Sequence, residues 1–121
     1  MERGFLFDEN MTPALIGFLG QVDPPIPHFY VGDGFAPPKG TKDPEILDWI
    51  SDHHCWLVTN NRRSMPVHLT DHITAGKSIM GIFQIPRALS IPQVIADLEL
   101  VWHLAEPDEF KNQIVYLPLQ N

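Results

Sequence analysis

Acidic and amide side chains collect at the ends of the chain's short apolar runs. Phe5-Leu6-Phe7 is followed by Asp8-Glu9-Asn10, His28-Phe29-Tyr30-Val31 by Gly32-Asp33-Gly34, and Cys55-Trp56-Leu57-Val58-Thr59 by Asn60-Asn61-Arg62-Arg63. Asp43 and Glu45 open the segment that feeds the last of these runs. Carboxylates brought together repel one another and hold protons more tightly unless a divalent cation neutralises them, and Mg²⁺ or Mn²⁺ prefers such hard oxygen ligands. The pattern points to metal-assisted phosphodiester hydrolysis, in which the cation activates water and takes up charge on the displaced phosphate oxygen. Each residue also has a plainer reading, because Asp and Asn are ordinary turn and cap formers. By that reading Glu9 is a solvated neighbour, Asp33 a turn residue and Asp43 a helix cap ahead of Pro44.

These residues share a site only if the elements between them deliver them to one edge. Phe5-Leu6-Phe7 suits a strand buried on both faces. Thr12-Pro13 starts a helix that carries Leu15, Ile16, Phe18 and Leu19 and ends at Gly20. His28 to Val31 is a second strand. Asp43-Pro44 repeats the cap-then-proline signature, with Ile46, Leu47 and Ile50 on one face of a helix running to about His53. Cys55 to Thr59 is a third strand, Met65, Leu69 and Ile73 mark a helix closed by Gly76, and Ile79 to Ile85 is a fourth strand. Ser90 with Gln93 forms a capping box, and Leu89 with Val94 a hydrophobic staple, for a last helix to about Ala105. Gln113 to Leu117 closes the series as a fifth strand. The alternation calls for a single α/β domain over residues 1–121, a three-layer α/β/α sandwich with a mainly parallel sheet of about five strands. Right-handed crossovers place helices on both faces. Ligands of such sheets bind beyond the carboxyl ends of the strands, where the polar residues gather.

Composition narrows the function. With 121 residues, 44% hydrophobic and 19% charged, the chain has ordinary globular usage for one domain. A net charge of −7 disfavours non-specific attraction to phosphate backbones or anionic lipid, so any nucleic-acid contact must be local. The single cysteine excludes an intrachain disulfide and a cysteine-rich zinc site, and fits a reducing compartment. Residues 1–8 carry too short an apolar run for a signal peptide, and no run is long enough to span a membrane. The expectation is a cytoplasmic protein with no membrane partner.

Leu6-Phe7-Asp8-Glu9-Asn10-Met11-Thr12-Pro13, then Asp43-Pro44-Glu45-Ile46, then Leu57-Val58-Thr59, resembles the small PIN-like nuclease domains, with the Asp-Glu-Asn-Met-Thr-Pro opening as its most specific part. The likeness covers roughly residues 5–85 and implies divalent-metal-dependent RNA cleavage, as in toxins of toxin–antitoxin pairs. By it Asp8 matches the family's first-strand acid, and Asp43, with Glu45 behind it, matches its helix acid. Family members usually carry two aspartates after the strand-ending threonine, whereas this chain has Asn61 and Arg63. An amide oxygen can still ligate a hard cation, so the resemblance implies a reduced site: Asp8 the principal ligand, Asp43, Glu45 and Asn61 in support, and Asp8, Asp43 and Asn61 the catalytic set for Mg or Mn.

Arg62 and Arg63 stand where the acids would be, as contacts for a substrate phosphate or as partners of Asp8 and Glu9, the latter being the simpler role. His68, Asp71 and His72 share one helical face, which suits either a transition metal or a hydrogen-bonded structural face. His28, His53 and His54 read as structural. Two functions follow: a weak Mg²⁺/Mn²⁺-dependent ribonuclease with RNA as partner, or a catalytically silent module that binds an antitoxin-like protein or a second copy of the chain. The second is motivated by the missing acids and by apolar residues that look exposed, such as Phe35 and Trp49.

Overall fold

A computed structural model describes residues 3–9, 11–60 and 63–119. The chain runs β1 (Gly4–Phe7), α1 (Pro13–Leu19), β2 (His28–Tyr30), α2 (Asp43–His53), β3 (Cys55–Asn60), α3 (Met65–Thr74), β4 (Ile82–Ile85), α4 (Ile91–Leu104) and β5 (Ile114–Tyr116). All four helices carry a proline in their first two positions, where a missing N–H costs nothing: Pro13, Pro44, Pro66 and Pro92. Four of the chain's twelve prolines are placed in this way. Ser90 caps α4 as its sequence implies, accepting from the Gln93 N–H at 3.3 Å. Thr12 makes no side-chain cap bond, and Lys42 rather than Asp43 occupies the cap position of α2. There the Lys42 carbonyl accepts from the N–H groups of Glu45 and Ile46. His54, at φ 56°, closes α2 in the left-handed region.

The five strands form one sheet in the order β2-β1-β3-β4-β5, with every pair parallel. β4 begins later than the apolar run that contains it. Ile79 is tied instead to Asn112, donating to its side-chain oxygen and accepting from its backbone N–H, both at 3.0 Å. Gly81 then turns the chain at φ 147°, where a Cβ would stand 2.9 Å from that of Phe110.

Alternate residues of each strand feed two cores. Phe5, Phe7, Trp56, Val58 and Phe83 pack beneath α1 and α4, while Leu6, Cys55, Leu57 and Ile82 pack beneath α2 and α3. Burying each large side chain contributes about 1.5–3 kcal/mol, so these two faces hold the sandwich together. The connections β1–α1–β2, β2–α2–β3 and β3–α3–β4 share one hand, as parallel crossovers should. The fourth does not follow. β5 extends the sheet in the same direction as β4, yet α4 lies on the face of α1, so β4–α4–β5 has the opposite hand. The reason lies in coverage: α1 has only seven residues, and Val94, Leu98 and Val101 of α4 are needed over Trp56 and Phe83. Among the described residues no helix is long and apolar enough to cross a membrane.

Helices that return between parallel strands start at the strands' carboxyl ends. The beginnings of α1 to α4 therefore lie on the same rim as Asp8 and Asn60. At the opposite end, burial pushes the Cys55 thiol up from its ordinary 9.0 to about 11, opposed by the Gly4 backbone. Cys55 should therefore resist a thiol-reactive disulfide reagent at pH 8 until the protein is unfolded in urea. Above about pH 9 the unfolded chain ionises first, so stability should fall with rising pH until the folded thiol also titrates.

Candidate functional site

The chain leaves β1 towards α1 on one face and leaves β3 towards α3 on the other. The crevice between those two departures is the switch point at which open parallel sheets bind ligands. Asp8 sits in it. Its backbone N–H donates to the Val58 carbonyl at 3.0 Å, continuing the β1–β3 ladder by one step. Strand alternation then turns its side chain to the α2/α3 face, beside Thr59. One carboxylate oxygen, Oδ2, accepts from the Thr59 hydroxyl at 2.9 Å, and Oδ1 accepts from the Glu9 N–H at 2.7 Å. Asp8 is 3% exposed, so these donors stabilise a charge largely removed from water.

A second group gathers where α2 and α3 begin. Asp43 is buried and faces α3: its Oδ2 accepts from the Ser64 hydroxyl at 3.5 Å and lies 3.9 Å from His68 Nε2. Glu9 links this group to Asp8. Its carboxylate accepts from the Gly40 N–H, with both oxygens at 3.3 Å, and it lines a hollow of about 430 Å³ with Lys42, Asp43 and His68. Glu9 also lines a neighbouring hollow of about 440 Å³ together with Asp8 and Lys39. It is a structural bridge across the rim rather than a solvated bystander.

The other expected site residues fall out unevenly. Glu45 is exposed in the first turn of α2, and Asp33 donates its backbone N–H to Tyr30 in the turn its glycines imply. Arg63 is exposed and, among the described residues, forms no ion pair with Asp8 or Glu9, contrary to the simpler role expected of it. Asn61 and Arg62 lie outside the described residues, as does Asn10. The helical trio divides: His68 turns to Asp43, buried His72 places Nδ1 3.6 Å from Asp48, and Asp71 is exposed. Asp48 is held in turn by Lys77 at 2.7 Å. This is the structural reading of that face.

Among the described residues no three His, Cys, Asp or Glu side chains converge in a way that would hold a metal. A hard cation at Asp8 would therefore rely on one or two carboxylates, with an amide and water supplying the rest. Mg²⁺ commonly binds in that way. Asp8 and Asp43 are carboxylates held by hydrogen bonds on this rim, the donor type that a hard cation takes. One strand beyond Thr59, buried Gln84 presents an amide whose two polar atoms find no partner among the described residues. Gln84 and Ser64 stand outside the motifs that the sequence offers for a site. Gln84 was legible in principle, because a glutamine amid Ile-Phe-Gln-Ile is a polar residue in a run that should be buried on both faces.

The class that fold and rim define is a parallel α/β/α domain with a polar site at its switch point. Comparison with protein-family profiles, with curated proteins and with solved structures finds no match for this chain. Thr59→Val keeps the side chain's shape while removing the donor to Asp8. It should lower unfolding free energy by about 1–3 kcal/mol in urea titrations, whereas Thr59→Ser should retain most of it.

Proposed function

We propose that the chain is a PIN-like domain with a reduced carboxylate site, binding one Mg²⁺ or Mn²⁺ at Asp8 and cleaving RNA weakly. The observation that supports this most is the Asp8 carboxylate itself: buried at the switch crevice, fixed by Thr59 and Glu9, and on the same rim as Asp43. When bound, the cation would activate water and stabilise charge on the phosphate oxygens. Asp8 would hold it, with Asp43 and Asn61 in support and Glu45 at the outer edge. Thr59 holds Oδ2 of the Asp8 carboxylate, and the Glu9 N–H holds Oδ1. The His68 imidazole lies 3.9 Å from Asp43, in the hollow that both share with Glu9. Arg62, Arg63 and Lys42 would supply positive charge on an otherwise acidic chain, the attraction a phosphate needs.

A second reading is a silent module that binds an antitoxin-like protein or a second copy of the chain. Its supporting observation is an aromatic cluster beside edge strand β2. Phe29, Phe35 and Trp49 pack edge to face or tilted at 5.2–5.8 Å, and Trp49 stacks on His53 at 4.1 Å. Trp49 is only half exposed, but Phe35 leaves 60% of its surface in solvent. A chain that runs as a monomer and retains no partner would count against this reading.

Calorimetric titration with Mn²⁺, paired with an RNA cleavage assay, separates the two. The wild-type chain should bind one Mn²⁺ and cleave, Asp8→Asn should lose both, and Thr59→Val should weaken Mn²⁺ binding by about 10–100-fold. Absence of Mn²⁺ binding, together with cleavage indifferent to Asp8→Asn, would remove the enzymatic reading.

A further inference from the structure

The hollow of about 440 Å³ beside α1 shares Asp8 with the proposed cation site, but its remaining walls are of another kind. Met11, Pro13, Ile16 and Val31 give it apolar walls, and Tyr30 also lines it with 43% of its surface exposed. No aromatic ring among the described residues packs against Tyr30. An aromatic face left open at a polar rim is able to stack on a flat ring. Lys39 closes the other side. Its aliphatic stem lies along the bare backbone of Gly32, where a Cβ would meet Lys39 Cγ at 3.0 Å and Cε at 3.1 Å. The Glu9 carboxylate anchors the next residue, Gly40, through its N–H. Lys39 forms no ion pair among the described residues. The loop between β2 and α2 thus delivers a cation to the lip of an apolar slot beside Asp8.

We infer that this slot binds the base of one unpaired nucleotide, stacked on Tyr30 over Ile16 and Met11, with Lys39 on an adjacent phosphate. The inference rests on the ribonuclease reading and adds to it a subsite for one unpaired base. The occupant follows from what surrounds the slot. Asp8 itself borders the hollow, so a phosphodiester held at Asp8 would bring its neighbouring nucleotide to the hollow's edge. Bases offer a π-face whatever their sequence, so Tyr30 would accept them with little discrimination. A base paired in a duplex keeps its faces stacked on its neighbours and cannot enter.

The test is fluorescence anisotropy with a labelled hexauridine RNA in excess EDTA, where metal-assisted cleavage is silent. Wild-type protein should bind it more tightly than a blunt RNA duplex of equal length. Tyr30→Ala should weaken binding about tenfold, and Tyr30→Trp should preserve it. Lys39→Met should reduce the slope of log K against log salt by about 0.7, one phosphate's worth on a single strand. Circular dichroism and thermal melting establish that each variant folds, which the surface position of both residues favours. Unchanged binding by Tyr30→Ala, equal affinity for the duplex, or no binding of hexauridine by the wild type would each overturn the slot. The two failures are distinguishable. If only the slot is wrong, Mn²⁺ still binds at Asp8 and cleavage persists; if the ribonuclease reading is wrong, Mn²⁺ binding and cleavage are absent whatever Tyr30 does.

Discussion

A carboxylate buried at the seam of β1 and β3 is the constraint around which this rim is arranged. Removing a charged group from water costs several kcal/mol unless hydrogen bonds replace the lost solvation. Asp8 meets that demand with a hydroxyl from the neighbouring strand and an N–H from its own loop. Each partner fixes something further. Thr59 can donate only because the parallel register sets Phe7 opposite Val58, bringing the next residue of each strand side by side. Glu9, having turned its N–H inward, sends its carboxylate outward to Gly40 and so holds the long loop between β2 and α2 against the site.

The placement of α4 shapes the rest. By returning over the face of α1 it completes the larger apolar core, but it leaves β5 without a helix of its own on the other face. Ile114 there is only partly covered by the second core, and Tyr116 lies 61% exposed. The α2/α3 face is therefore covered by two helices across a five-stranded sheet. Their starts bring Asp43 and Ser64 together on the same rim as Asp8. The rim is polar on that side and apolar on the other, where Tyr30, Met11 and Ile16 open beside it.

Most of the fold is legible in the sequence because it rests on local signals. Proline at helix starts, glycine after helix ends and short apolar runs locate every element to within a few residues. The sheet's parallel sense follows from their alternation. What local signals do not carry is the hand of the last crossover, which depends on how much of a core face a seven-residue α1 leaves bare. The site is legible to a lesser degree. Asp8 and Asp43 do come to one rim, yet the residues that orient them lie on other elements: Thr59 is 51 positions from Asp8, and Ser64 is 21 from Asp43. Asp43 illustrates the difficulty. The pair Asp43-Pro44 reads as a cap, but with Lys42 taking that position the carboxylate is released to face α3. Glu9 was obscured in the same way, since its partner is the backbone of Gly40.

The central claim, that the Asp8 crevice holds a hard divalent cation, is tested most directly by crystals grown with Mn²⁺ and measured for anomalous scattering. The account predicts one strong peak about 2.1–2.2 Å from an Asp8 carboxylate oxygen, on the rim shared with Asp43. An arginine guanidinium seated against Asp8 in that place, with no peak in the crevice at saturating Mn²⁺, would contradict it.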